Sequence, residues 1–445
     1  MYWILVTNAF SDFLFSYMCG VFDLFAGDLL FFGHIERMKD QGSESIGLRS
    51  VLLVSTLGYF VDVYDLLLFS VVRTKSLTDL GVAEEDLLTT GLYLLNWMLG
   101  GMMAGGVFWG VLGDRKGRRT VLFGSILIYS LANLLNAYVT DTGTYTFLRF
   151  VAGFGLAGEL GAGITLVCEM KRPDRRAYGT LLITAIGLLG AVFAAYIGQN
   201  FDWRFAFKLG GYMGLALLFL RMGSSESKIF LKGLENPVAK GNFLDLIFRR
   251  SLALRFLKMI LLGLPIFYVI GILVTGTPEF AKEFQMKEIP ETGTAIMISY
   301  TFISMGDILC TYFSQIFKSR KKALALFLWL TLGGIVFHLN FPPETKAAYY
   351  FRCALMGTGI GYLSLLVTFL SESFGTNLRA SATISAPNFI RGLLPLVVSP
   401  LFLMLNGPLD LVPAAVIVGL VCTIVPLILL RYIPEEYGKS MDYME

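Results

Sequence analysis

Seven polar side chains lie inside stretches that otherwise read as hydrocarbon. Asp62 and Asp65 sit in "YFVDVYDLLLF", Arg149 and Glu159 in "RFVAGFGLAGELGAG", Asp307 in "SMGDILC", and Asn388 and Arg391 in "APNFIRGLL". An ionisable group at the centre of an apolar helix costs at least about 2.5–3.5 kcal/mol, so each of these positions invites a chemical reason. Asp62 and Asp65 are three residues apart and share one face of a helix. Two carboxylates so placed can share a proton, which a proton-handling site requires. Arg149 and Arg391 each carry the planar fork that grips a carboxylate or phosphate. Arg149 and Glu159 are ten residues apart, about 15 Å along a helix, too far to pair with each other. Tyr59 and Tyr64 border the two aspartates. The competing expectation for all seven is structural: buried ion pairs and polar contacts that only hold helices together.

The elements that must position these groups follow from composition. The chain has 445 residues, of which 55% are hydrophobic and only 16% charged. Its mean hydropathy is +0.67. Soluble domains carry roughly 25% charged residues, so this is read as an all-α membrane protein. A spanning helix needs about 20 apolar residues. Twelve runs qualify, at 50–72, 89–112, 120–139, 144–168, 177–199, 203–222, 255–276, 292–317, 323–341, 347–370, 382–405 and 409–431. They are long, Leu-rich and without the alternation of barrel strands.

Cations set the expected orientation. Lys and Arg crowd the links after the second, fourth, sixth and eighth runs, whereas "VTDTGT" and "LNGPLD" carry none. The basic links are therefore expected to be cytoplasmic, with both termini inside. A net charge of +3 gives no sign of nucleic acid binding. Five scattered cysteines and two histidines, His34 and His338, offer no metal-ligand spacing. No metal, no cofactor and no enzymatic activity are expected.

Residues 1–48 are apolar but interrupted by Asp12, Asp23 and Asp28, and are read as an N-terminal appendage. Residues 49–222 form a first six-helix bundle, 223–254 a polar cytoplasmic linker, 255–431 a second bundle, and 432–445 a cytoplasmic tail. The two sets of six repeat weakly. Their first runs are offset by about 205 residues, and the basic links end at Arg119 and Lys322, an offset of 203. A six-plus-six repeat is a transporter feature.

The link "GVLGDRKGRR" resembles the signature loop of the major facilitator superfamily. Gly110, Asp114, Arg115, Gly117, Arg118 and Arg119 fill its fixed positions. Span 1, span 4 and "CEMKRPDRRAYG" also resemble, more loosely, the branch of metabolite:proton and aromatic acid:proton symporters. The resemblance implies twelve helices in two pseudo-symmetric six-helix bundles around a central cavity lined by spans 1, 4, 7 and 10. It implies a monomer in the bilayer that moves a small-molecule substrate, with protons, by alternating access. It also implies that the loop aspartate and arginines latch the two halves on the cytoplasmic side. Asp114 could find its partners in nearby arginines or in the N-terminus of span 11. The second half has Phe317 in place of Asp114, so a symmetric second latch is not expected. Proton-coupled import of an organic anion across a cell (inner) membrane fits the arginines best. The alternatives are a sugar:proton symporter, which Asn96, Asn133, Asn136 and Gln199 would suit, and a drug or metabolite efflux antiporter, against which span 5 has no proline. Pro265 and Gly271 are expected to break span 7, and Pro387 and Pro395 to break span 11.

Overall fold

The computed structural model describes residues 42–83, 86–170, 176–221 and 243–438. The expected appendage lies outside the described residues up to position 41, as do most of the linker and the end of the tail. With no water in hydrocarbon to satisfy backbone groups, helices answer the demand locally, and the described residues form twelve helical spans. In the first half these are α1 (Gly42–Asp79), α2 (Leu87–Lys116), α3 (Arg118–Asn136), α4a and α4b (Thr142–Leu156, Glu159–Met170), α5a and α5b (Arg176–Gly187, Leu189–Asn200) and α6 (Trp203–Leu220). The second half holds α7a (Arg250–Leu261), α7b (Leu264–Tyr268) with a π-helical turn Val269–Val274, α8 (Thr292–Phe317), α9 (Arg320–Asn340), α10a and α10b (Lys346–Ile360, Leu363–Ser373), α11 (Arg379–Leu409) and α12 (Leu411–Arg431). Ten spans are long and apolar enough to cross a membrane. The other two, α3 and α6, are the shortest at 19 and 18 residues and pack on each other.

Local chemistry explains the boundaries. Asp141, Asp202, Ser319 and Thr345 accept backbone N–H groups at the starts of α4a, α6, α9 and α10a, as N-cap residues do. Gly117 joins α2 to α3 with φ at 96°, a conformation side chains resist. The repeat shows in the breaks: α4 is interrupted at Gly158 and α10 at Gly361, 203 residues apart. The α7 break falls between Leu261 and Leu264, at Gly263 and next to Pro265. The expected break in α11 is absent. That helix runs unbroken through Pro387 and Pro395, because neighbouring helices can satisfy the backbone groups that proline frees.

The halves meet along two seams. α11 lies against α2 and α4b, while α8 and α10b lie against α5. The α11 seam is close because α2 and α4b present glycines. A Cβ on Gly110 would come 2.8 Å from Ser381 Cα, one on Gly113 3.0 Å from Ala380 Cβ, and one on Gly161 would run into the Thr383–Ile384 backbone. Gly110→Val is therefore expected to open this seam, seen as faster proteolysis and solvent exchange of α2 and α11.

The described end of the chain returns to α9. Glu435 accepts the Ser319 hydroxyl and the backbone N–H groups of Arg320 and Lys321. Burial pushes its carboxyl up, but these hydrogen bonds outweigh it and hold the pKa below the usual glutamate value. Its stabilisation is thus complete above the unfolded pKa and lost as pH falls through the lower folded one. Thermal unfolding in detergent should show a melting gap between the parent and Glu435→Gln at pH 7 that closes in acid.

Candidate functional site

Two helices from opposite halves bring the first pair of predicted residues together. Asp62 of α1 faces Arg391 of α11, with Nη1 3.9 Å from Oδ2. Arg391 Nη2 donates to the Tyr59 hydroxyl at 3.2 Å. Both Asp62 oxygens are buried and neither takes a hydrogen bond from the described residues. A buried ion pair is worth its desolvation only when close and fully hydrogen-bonded; this one is neither. Tyr300 of α8 lies within electrostatic reach of Arg391, and Asp307 within reach of Tyr59. The site therefore carries one cation, one weakly held carboxylate and two phenols at the junction of the halves.

Asp307 is engaged by α10b. Its Oδ1 accepts the Ser364 N–H at 3.1 Å, capping the start of α10b at the Gly361 break. Asn388, one turn before Arg391, donates to the Ala157 carbonyl at 2.8 Å, at the matching break in α4. The same amide also donates to Ile384 O at 2.7 Å. These two candidates thus support the broken helices beside the site.

The remaining candidates lie inside the first half. Asp65 lies within electrostatic reach of Arg149 and beside the Asn133 amide, and neither of its oxygens completes a well-formed hydrogen bond among the described residues. Arg149 donates to Asn133 Oδ1 at 2.9 Å and Asn136 Oδ1 at 3.3 Å, and its guanidinium lies 4.6 Å from the Phe207 ring centre. Tyr64 is spoken for, donating to Ala206 O at 2.9 Å. Glu159 pairs with Arg221 at the end of α6, with one contact of 3.0 Å, and Arg221 also reaches the Val54 carbonyl. Gly58 leaves the room for this pair, since a Cβ there would strike both partners. Breaking such a pair from one side costs about 3–5 kcal/mol. Glu159→Gln and Arg221→Met should each lower thermal stability strongly, and the double variant by much less than their sum.

At the basic end of the bundle Asp114 accepts the backbone N–H groups of Ala380 and Ser381 at 2.9 and 2.8 Å. These open α11, so the carboxylate sits on a helix N-terminus of the opposite half. Arg118 lies 3.6 Å from the same carboxylate and donates to Gly113 O and Thr376 O. Gly110 and Gly117 supply the close approach and the turn. Arg119 lies over the Phe123 ring, and Arg115 is exposed. The second half has a related device from other residues: Arg320 at the start of α9 grips Glu372 at the end of α10b through two bonds of 2.9 and 3.0 Å.

Arg221, Arg320 and Glu372 escaped the sequence reading because charges at span ends look like topology signals. One sequence signal was present. The 203-residue offset that links Gly158 to Gly361 also sets Glu169 against Glu372 and Arg176 against Arg379.

Known proteins resemble the chain in sequence and in fold. A Bacillus subtilis protein provisionally named for niacin/nicotinamide transport is 31% identical over 188 residues, covering 41% of this chain and 46% of that relative, less than half its length. A gentisate transporter of Corynebacterium glutamicum is 24% identical over 371 residues, covering 78% and 80%. Among solved structures, a proton:xylose symporter bound to 6-bromo-6-deoxy-D-glucose shares the fold at a TM-score of 0.70, with 16% identity, 90% of this chain and 98% of that one covered. The family model of the Major Facilitator Superfamily matches residues 56–398. The chain is a multi-pass membrane transporter, and it belongs to the major facilitator superfamily.

Proposed function

We propose that this transporter imports a small organic anion, best an aromatic carboxylate, together with a proton. The observation that carries the reading is the loose contact of Arg391 with Asp62, in which a cation from one half faces a carboxylate of the other without a direct hydrogen bond. A substrate carboxylate can form the bidentate pair with Arg391 that Asp62 does not. Asp62, displaced from its cation, then takes a proton, because an unpaired charge buried there is too costly. Substrate and proton thus load together. Asp65, beside Arg149, serves as the second proton-accepting group. Tyr59 and Tyr300 offer rings and hydroxyls to an aromatic body, in keeping with relatives named for gentisate and for niacin.

With the site loaded, the halves rock about it. The Asp114–α11 contact holds the basic side shut in one state and must release in the other. We place the basic links, the linker and both termini in the cytoplasm, in a cell (inner) membrane, with a single chain as the working unit. Uptake from a pooled set of aliphatic carboxylates, aromatic carboxylates and neutral sugars into proteoliposomes, read by mass spectrometry, tests the reading. Accumulation of an aromatic acid above equilibrium only under an inward proton gradient is the expected result. Equilibration alone, or accumulation of neutral sugars instead, would refute it.

A further inference from the structure

Inside the first half, a row of buried polar atoms is left over once the ion pairs are counted. Both carboxylate oxygens of Asp65, the neighbouring Asn133 amide Nδ2, the Ser130 hydroxyl and the Tyr129 hydroxyl are fully buried and complete no well-formed hydrogen bond among the described residues. Groups of this kind are almost always satisfied, and water is the partner that suits a polar, enclosed site. α6 brings its backbone close against these groups, because it presents glycines there. A Cβ on Gly210 would strike the Asp65 carboxylate, and one on Gly214 would strike the Ser130 hydroxyl and come 3.0 Å from the Tyr129 ring.

The row leads somewhere. Tyr129 lies within electrostatic reach of Glu159, Asp65, Arg221 and Asp62. Glu159 and Arg221 pair beside Gly58, two turns of α1 closer to the basic end than Asp65, about 10 Å. We propose that protons leave the aspartates through the first half itself, along a hydrated line past Ser130 and Tyr129 to the Glu159–Arg221 pair, and on to the basic face. The substrate, by contrast, moves between the halves.

The transfer conserves one proton at each step. The O–H of a protonated aspartic acid breaks and its proton passes to adjoining water. The Tyr129 hydroxyl accepts a proton on one side as its own leaves on the other. Glu159 takes the proton, becomes neutral and loosens from Arg221; release to water at the basic face restores the ion pair. The groups that face this line are Asp62 and Asp65 from α1, Tyr129 from α3, Arg149 and Glu159 from α4, and Arg221 from the end of α6. The inference rests on the proton-coupled reading and adds the route.

Radiolytic footprinting of the intact protein labels buried side chains that touch internal water. Tyr129 should be labelled well above Tyr64, which is equally buried but bonded to Ala206 O. In proteoliposomes, with radiolabelled gentisate and nicotinate as probes, Tyr129→Phe should lose gradient-driven accumulation about tenfold or more while substrate counterflow is retained. Gly214→Ala, which presses on Ser130 and Tyr129 without removing a hydroxyl, should do the same and covers the case in which Tyr129→Phe does not fold. Labelling of Tyr129 no stronger than Tyr64, or parent-like accumulation in both variants, overturns the route. If the parent protein itself never accumulates either acid above equilibrium, the proton-coupled reading fails and the route falls with it. That result is told apart by being seen before any variant is made.

Discussion

Arg391→Ala is expected to abolish gradient-driven uptake, by about 100-fold or more, because it removes the group proposed to hold the substrate and strands Asp62 without its cation. Removing one partner of a buried charge pair costs about 2–5 kcal/mol, which is roughly 30- to several-thousand-fold in binding. The structure allows the two causes to be separated. Asp62→Asn in the same chain removes the stranded carboxylate, so the double variant should regain thermal stability and expression. Uptake should stay lost, because an asparagine in place of Asp62 does not rebuild the fork. Arg391→Lys keeps the charge without the planar pair of donors and should fall between, about tenfold down. Uptake in Arg391→Ala/Asp62→Asn within a few-fold of the parent would remove Arg391 from the substrate site.

The second large effect belongs to Asp114. Its carboxylate takes two backbone N–H groups at the start of α11, and charged hydrogen bonds of this kind contribute about 1.5–3 kcal/mol each. Asp114→Ala leaves those N–H groups unanswered and should shift the closed state by about 3 kcal/mol, roughly 100-fold in population. Asp114→Asn keeps one acceptor but loses the charge at a helix N-terminus, and should lower transport by about tenfold. A cysteine introduced in place of Ser385, buried in the α2–α11 seam, reports the change directly. Its alkylation by a permeant maleimide should speed up in Asp114→Ala at unchanged thermal stability. Normal uptake and parent-like alkylation in both variants would show that the loop sets topology and nothing more.

What the sequence made visible was whatever breaks the rules of hydrocarbon. Asp62, Asp65, Arg149, Glu159, Asp307 and Arg391 stood out because each is expensive where it lies. The spans stood out by length and the links by charge. The loop around Asp114 was readable for a second reason, since an aspartate and two glycines exceed what topology demands, and the N-terminus of α11 was among its expected partners. Pairing was not readable. Arg391 meets Asp62 across more than 300 residues, and only packing decides that Glu159 pairs with Arg221. Gly158 and Gly361 interrupt helices while Gly333 and Gly334 do not; glycine is frequent in spanning helices, so composition alone does not tell them apart. Pro387 and Pro395 misled for the opposite reason, since a long helix supported by its neighbours absorbs proline.

The central claim is that a substrate carboxylate takes Arg391 from Asp62 and that Asp62 is then protonated. The most direct measurement is proton uptake on binding, by calorimetric titration of the detergent-solubilised protein with the transported acid in buffers of different ionisation enthalpy. The account predicts uptake of about one proton per carboxylate bound at neutral pH, abolished in Asp62→Asn while binding persists. Binding with no proton uptake, or with the same uptake in Asp62→Asn, would contradict it.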